Sequence, residues 1–406
     1  MWLPLAHADR FLSSARGLRH PFSKQAAAPL RKPATPPPRV FDFSAFLAGE
    51  RRGRALLLHH SEPLLEYARG SRPAHFNPAG GSLEITRALN QCGYVVDAVS
   101  WFDDDFAPER EYDLFVGHDA VSFKRVSETL GRQTKRVTYV TSCYGEAFAV
   151  ETEKAYSRFC QSRGLDRSSL QTYLPVFAGN FAVSSADLVV CLGKETRKTF
   201  LPVAKRVVAI NNAAYLDPNI KPEQLARRVA TPNFVYYGGR GNIQKGVDLL
   251  IEAFAGTPEA HLYVFSPLEP EVVRAYAREL RSPNIHFVHH WRFFPRLVRR
   301  LVSHCTFSVL CGFATGQSTA LIASLGMGLV PVVNAEADID APGIMIIETS
   351  VPGVRDALRR ALALPHSEVA ALGRAAIQTY HQRFKPECYC ASFRDIIRQV
   401  TMSDRT

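Results

Sequence analysis

A chain of 406 residues exceeds the usual size of one hydrophobic core, so the sequence predicts two domains. Its 46% apolar share excludes an intrinsically disordered protein, and no run of about 18 apolar residues marks a helical membrane span. The net charge of +11 favours an anionic partner (nucleotide, phosphorylated sugar, nucleic acid or acidic lipid) without choosing among them, and a solvated basic surface explains part of it.

Residues 1–40 hold one acid, Asp9, several arginines and the Pro-rich stretch RKPATPPPRV, and read as a flexible basic tail. His7, Asp9 and Arg10 interrupt the first apolar stretch, which argues against a secretory signal. A transit peptide, or a weakly amphipathic segment touching acidic lipid, shares this composition.

From residue 54 the strand-like runs RALLLHH, YVVDAVS, YDLFVGH, RVTYVTS, ADLVVCLG and RVVAINN alternate with helical patterns. In one of these, Ile85, Ala88, Leu89 and Cys92 share a face, and Gly93 is a plausible stop. Such alternation predicts a parallel sheet with helices on both sides. The Pro-punctuated stretch YLDPNIKPEQLARRVATP marks a linker, placed at 216–232, between an N-terminal domain at 41–215 and a C-terminal one at 233–375. Alternation resumes with FVYYGG, HLYVFSP, NIHFVHH, TFSVLCG, LVPVVN and GIMIIE. Residues 376–406 read as terminal helices that can cross back to the first domain. The fold class expected is α/β, two doubly wound Rossmann-like halves, with ligands beyond the carboxyl ends of strands.

The eight cysteines lie mostly in apolar runs, as reduced core cysteines do, so a cytoplasmic location is expected. Cys388 and Cys390 lack the second pair that a zinc site needs. His289 and His290 fall on opposite faces of a strand, which argues against a metal there.

Two strand ends carry the chemistry. After FVYY, Gly238 and Gly239 let the backbone turn, Arg240 and Lys245 bracket a short loop, and Gly246 leads into a helix whose Val247, Leu250, Ile251 and Phe254 share a face. A forked guanidinium and a compact ammonium fixed at a strand end suit a diphosphate. No Walker Gly-Lys-Ser/Thr follows, and Gln244 stands where a dinucleotide fingerprint needs its third glycine. On this motif alone an ordinary turn with exposed basic residues is an equal reading. The second end, FSVLCGFATGQSTALIASLGMGLVPVV, opens a helix at Gly316-Gln317-Ser318-Thr319, whose free amides can bind an anion. Ser318 or Thr319 can instead cap that helix. Gly80 and Gly81, before the first long helix, permit close approach of an acceptor or diphosphate, as a plain turn also would.

These motifs resemble the retaining GT-B glycosyltransferases of the family 4, or group 1, type. The family's strand, Gly-Arg, Lys-Gly and helix ending Ala-Phe are matched by Gly239-Arg240, Lys245-Gly246 and Ala253-Phe254. Its later glycine loop and helix ending before Pro-Val are matched from Gly316 through Gly328-Leu329-Val330-Pro331-Val332. More weakly, LNQCGYVVD resembles the end of its first helix, and YDLFVGHD a strand that carries two histidines, where Val116 replaces the first and His118 matches the second. The resemblance spans residues 54–395.

It implies a GT-B fold, with the halves facing a cleft, and transfer of a hexose-type sugar from a nucleoside-diphosphate sugar to a glycan or lipid-linked acceptor. Arg240 and Lys245 would hold the diphosphate, His118 would face the sugar, and Gly239, Thr315, Gly316, Gln317, Ser318 and Thr319 would line the donor site. No metal or cofactor is implied beyond the nucleotide-sugar co-substrate; contact with the inner face of an acidic membrane is possible, to which Arg296, Arg299 and Arg300 could contribute, and nucleic acid is not expected. One departure stands out: a spaced pair of glutamates in the family falls here on Thr315 and Ala323, the second unable to bond a ribose. Glu336 is a candidate substitute acid. The alternatives are a catalytically degenerate protein that binds nucleotide or a partner, and a sugar-nucleotide epimerase on the same fold.

Overall fold

The computed structural model describes residues 38–71, 80–118, 121–170, 182–216, 230–287, 303–313 and 316–402. Most of the expected tail, linker residues 217–229, Thr315, His289, His290 and the arginines at 296, 299 and 300 lie outside them.

The first lobe runs through β1 (Val40–Phe43), β2 (Gly53–His59), α1 (Glu62–Ala68), α2 (Gly80–Gln91), β3 (Tyr94–Ser100), β4 (Leu114–His118), α3 (Val121–Thr129), β5 (Lys135–Val140), α4 (Gly145–Arg163), β6 (Leu188–Leu192), α5 (Lys194–Phe200) and β7 (Val207–Ile210). Among the described residues its seven strands lie in the order β1-β3-β2-β4-β5-β6-β7, all parallel except β1 against β3. Strands such as β3, β4 and β6 are buried along their whole length, as a sheet covered on both faces requires. The antiparallel β1 begins at Val40, the last residue of the stretch read as tail.

The second lobe follows with β8 (Asn233–Tyr237), α6 (Val247–Ala255), β9 (His261–Phe265), α7 (Pro270–Ala275), β10 (Ile285–Phe287), β11 (Phe307–Leu310), α8 (Thr319–Gly326), β12 (Val330–Val333), β13 (Met345–Ile346), α9 (Val351–Ala363) and α10 (His366–Thr379). Among the described residues its six strands, all parallel, are ordered β10-β9-β8-β11-β12-β13. A π-helical turn, Tyr380–Phe384, then leads to α11 (Pro386–Met402).

Two helices sit on the lobe opposite to their neighbours in sequence. Tyr389, Phe393, Ile396, Ile397 and Val400 of α11 share a core with Leu83, Ala88 and Leu89 of α2, covering one face of the first sheet. Conversely, Ala155, Tyr156 and Phe159 of α4 join the second lobe's core around Phe234, Leu250 and Phe254. Where the chain crosses between lobes, the Tyr380 hydroxyl donates to the Ala214 carbonyl at 2.7 Å and the Ala214 amide to that of Phe384 at 3.2 Å, so the two crossings are pinned together. Among the described residues no helix is long and apolar enough to cross a membrane.

Candidate functional site

In the second sheet β8 and β11 are parallel neighbours, so the loops that follow them lie side by side. They are also bonded: the Phe313 amide donates to the Gln244 carbonyl at 2.8 Å, and the Gln244 side-chain amide to the Phe313 carbonyl at 3.0 Å. Gly246, at φ 69°, lies so close to the Cys311 carbonyl that a side chain would overlap it. Both sequence-predicted anion motifs therefore form one surface.

Lys245 folds back over the glycine turn, its Nζ 3.6 Å from where a β-carbon on Gly239 would stand. By surface area the residue is only half-buried, yet protein surrounds the amine closely. Burial lowers its pKa to about 8, against the opposing charge of Glu269. Arg240 is likewise half-buried on the same turn.

The loop is organised by residues that motif reading missed. Glu269 accepts from the amides of Gly241 at 2.7 Å and Asn242 at 3.1 Å, and its own amide donates to the Asn242 side-chain oxygen at 2.7 Å. The Ser266 hydroxyl donates to the Gly239 carbonyl at 3.1 Å. Both follow β9, at the sheet edge that the strand-end rule singles out, so a search there for polar residues would have found them.

At the start of α8, no backbone amide from Gly316 to Ala320 has a hydrogen-bond partner among the described residues. Ser318 stands at the N-cap without a side-chain capping bond, and the Thr319 hydroxyl accepts from the Asn212 side chain at 3.1 Å. The sequence places Gln317 among the donor-binding groups. The structure instead commits its side chain to joining the lobes: it accepts from the Asn212 amide at 2.7 Å and donates to Asn211 at 3.1 Å and to the Asp338 carbonyl at 2.9 Å. Asp338 reaches across as well, accepting from the Glu195 amide at the start of α5 at 2.8 Å. Ala323 is fully buried in α8, and Glu336 is exposed.

The first lobe meets this surface with its own carboxyl edge. A β-carbon on Gly316 (φ 58°) would lie 3.1 Å from the Thr196 hydroxyl and 3.8 Å from the Thr141 carbonyl. His118, at the end of β4, is buried, with its Nε2 3.4 Å from the Thr141 hydroxyl and its ring 4.8 Å from Trp101. Next to it, His59 accepts the His60 amide proton on Nδ1 at 2.8 Å. Burial, reinforced by His60 and His118, drives the pKa of His59 well below the usual histidine range, so it is neutral. Gly80 and Gly81 open α2 at this edge, and Gly81 packs near the Tyr389 hydroxyl. The structure thus brings His118, Gly316 and the α8 amides into one seam between the lobes, alongside the Arg240–Lys245 loop.

No known protein-family model matches the chain, and no curated protein matches it in sequence. Solved structures do match in three dimensions. Sucrose-phosphate synthase from Thermosynechococcus elongatus superposes with a TM-score of 0.60 at 14% identity, over 86% of this chain and 99% of that one. Anabaena HepE, solved with UDP and glucose, gives 0.52 at 12% identity over 87% and 100%. TarM of S. aureus gives 0.50 at 11% identity over 71% and 55%. At such identities the likeness is one of fold, and the fold is GT-B.

Proposed function

We propose that the protein is a retaining glycosyltransferase that moves a hexose-type sugar from a nucleoside-diphosphate sugar to a glycan or lipid-linked acceptor. The observation that carries this reading is the pairing of the Arg240–Lys245 loop with the unpartnered amides of α8 on adjacent strands of the donor lobe. UDP complexes among the fold's relatives support a nucleotide there. As the bond from the sugar's anomeric carbon to the diphosphate breaks, negative charge builds on the leaving oxygens. In this reading Arg240, protonated Lys245 and the α8 amides stabilise that charge. The acceptor oxygen then bonds to the same face of the sugar, and its proton passes to the departing diphosphate. These side chains supply the neutralising charge, so the mechanism requires no metal. His118 closes the first-lobe side of the seam against the sugar. Contact with the inner face of an acidic membrane belongs to the same reading, as the route to a lipid-linked acceptor.

A second reading, a GT-B protein that binds nucleotide without transfer, is favoured by one set of facts. Gln317 is engaged between the lobes, and Ala323, fully buried, offers no polar group to a ribose. Calorimetric titration with UDP, GDP, ADP and their sugar conjugates, followed by product analysis with candidate acceptors, separates the two. Binding of one donor with transfer, both reduced in Lys245→Ala, supports the first; binding without transfer supports the second. Absence of binding to any of them overturns both.

A further inference from the structure

Glu269 stands at the N-cap of α7 but makes no capping bond to its own helix. Its carboxylate points the other way, into the loop that follows β8. There it holds the amides of Gly241 and Asn242, while Asn242 holds the Glu269 amide in return and reaches Ser266 at 3.3 Å. Two successive amides converging on one carboxylate form the concavity that loops elsewhere offer to a phosphate. Here it is filled from within. The loop therefore meets a ligand not with these amides but with the side chains of Arg240 and Lys245.

We propose that Glu269 is a positioning residue for the diphosphate subsite, an internal anion that fixes the Gly239–Gly246 loop over which the Lys245 amine folds back. This rests on the nucleotide-sugar reading given above. The carboxylate is itself buried, and burial raises its pKa; the two amide bonds and the charge of Lys245 oppose that shift. Several other charges surround the loop: Arg240 on it, Glu271 beside Glu269, and Asp248, paired with Arg158, at the start of α6. Of these carboxylates, Glu269 is the one whose charge acts on Lys245.

The test uses the full chain and Glu269→Gln, which keeps the shape and one acceptor but removes the charge. The Lys245 amine is titrated by NMR of the reductively methylated protein, with Lys245→Arg identifying its resonance. Affinities for UDP, GDP and ADP are measured in parallel from pH 6.5 to 9. The wild-type amine should titrate near pH 8. In Glu269→Gln its midpoint should fall, and affinity for the bound diphosphate should drop by about tenfold at neutral pH, with its decline beginning at lower pH. An unchanged Lys245 midpoint in a folded Glu269→Gln variant overturns the inference without reference to nucleotide. A shifted midpoint with wild-type affinity and pH profile overturns its role in the subsite. Failure of the wild type to bind any diphosphate overturns the functional reading on which the subsite rests, while the titration still decides whether Glu269 sets the charge of Lys245.

Discussion

Arg158, on α4 of the first lobe, donates to the Asp248 carboxylate of α6 in the second at 2.6 Å, and Asp248 is wholly buried. The pair lies where α4 enters the other lobe's core, so it joins the halves as well as neutralising a charge. Burial raises the Asp248 pKa and Arg158 opposes that rise. Removing Arg158 leaves a buried carboxylate unpaired, a loss that costs about 3 kcal/mol or more. An acid whose folded pKa is raised is most stabilising to the fold when protonated. Arg158→Ala should therefore lose more stability at pH 8 than at pH 5, with Asp248→Asn in the same background recovering part of it. Urea unfolding at both pH values measures this.

Nucleotide affinity should carry the titration of Lys245. A diphosphate favours the ammonium, whereas the free protein releases that proton near pH 8. Binding above this point must take up a proton, so affinity should fall by up to about tenfold per pH unit as pH rises beyond 8. Calorimetry in buffers of different ionisation enthalpy would show the uptake directly. Lys245→Ala should weaken binding by about 10- to 100-fold and abolish the uptake.

Neighbouring glycines should behave differently. In Gly246→Ala the new methyl would meet the Cys311 carbonyl at a φ of 69°, and the variant should lose about 3 kcal/mol or more. Gly239→Ala meets nothing nearer than the Lys245 amine, so it should fold within about 0.5 kcal/mol of wild type yet bind nucleotide less well. Thermal melts and titrations on the two variants test the contrast.

Gln317→Ala should leave the Asn212 amide and the Asp338 carbonyl without their partner in a half-buried seam. A cost of about 1–3 kcal/mol is expected. Hydrogen exchange at Asn212 should rise more than exchange in the two sheets, because the bonds lost lie between the lobes. Equal acceleration everywhere would show that Gln317 supports the whole fold and not this junction.

Much of the fold was legible because its strands are local. Leu188–Leu192 is a continuous apolar run, and Phe307–Leu310 is broken only by Ser308. Val247, Leu250, Ile251 and Phe254 are buried in α6 as expected, but Asp248, Leu249 and Ala253 are buried too, so the helix is covered beyond the one face that its periodicity marks. The loop carrying Arg240 and Lys245 could be located for the same reason, its parts lying within one strand–turn–helix unit. What escaped notice depends on distant partners. Gln317 reads as a polar residue at a helix start until Asn211 and Asn212, more than a hundred positions away in sequence, are seen beside it. Nothing in GEAFAVETEKAYSRFCQSR announces that Tyr156 and Phe159 pack into the other lobe. β1 was hidden because an edge strand, VFDF, needs only its bonds to β3 and shows little apolar patterning. Glu269 can be located in the sequence as a polar residue after β9, but its bonds to the Gly241 and Asn242 amides emerge only where the β9 edge faces the β8 loop.

The return of α11 to the first lobe has a consequence for how the chain is made. Tyr389, Phe393, Ile397 and Val400 complete a face of the first sheet that α2 alone leaves partly uncovered. On a ribosome adding about 5–20 residues per second, the interval between α2 and α11 is roughly 15–60 s. Throughout it the nascent first lobe carries a bare apolar strip that chaperones can recognise. A full-length chain refolding from denaturant has no such delay, because its last helix is present from the start. Chaperone dependence should consequently be stronger during translation than on refolding.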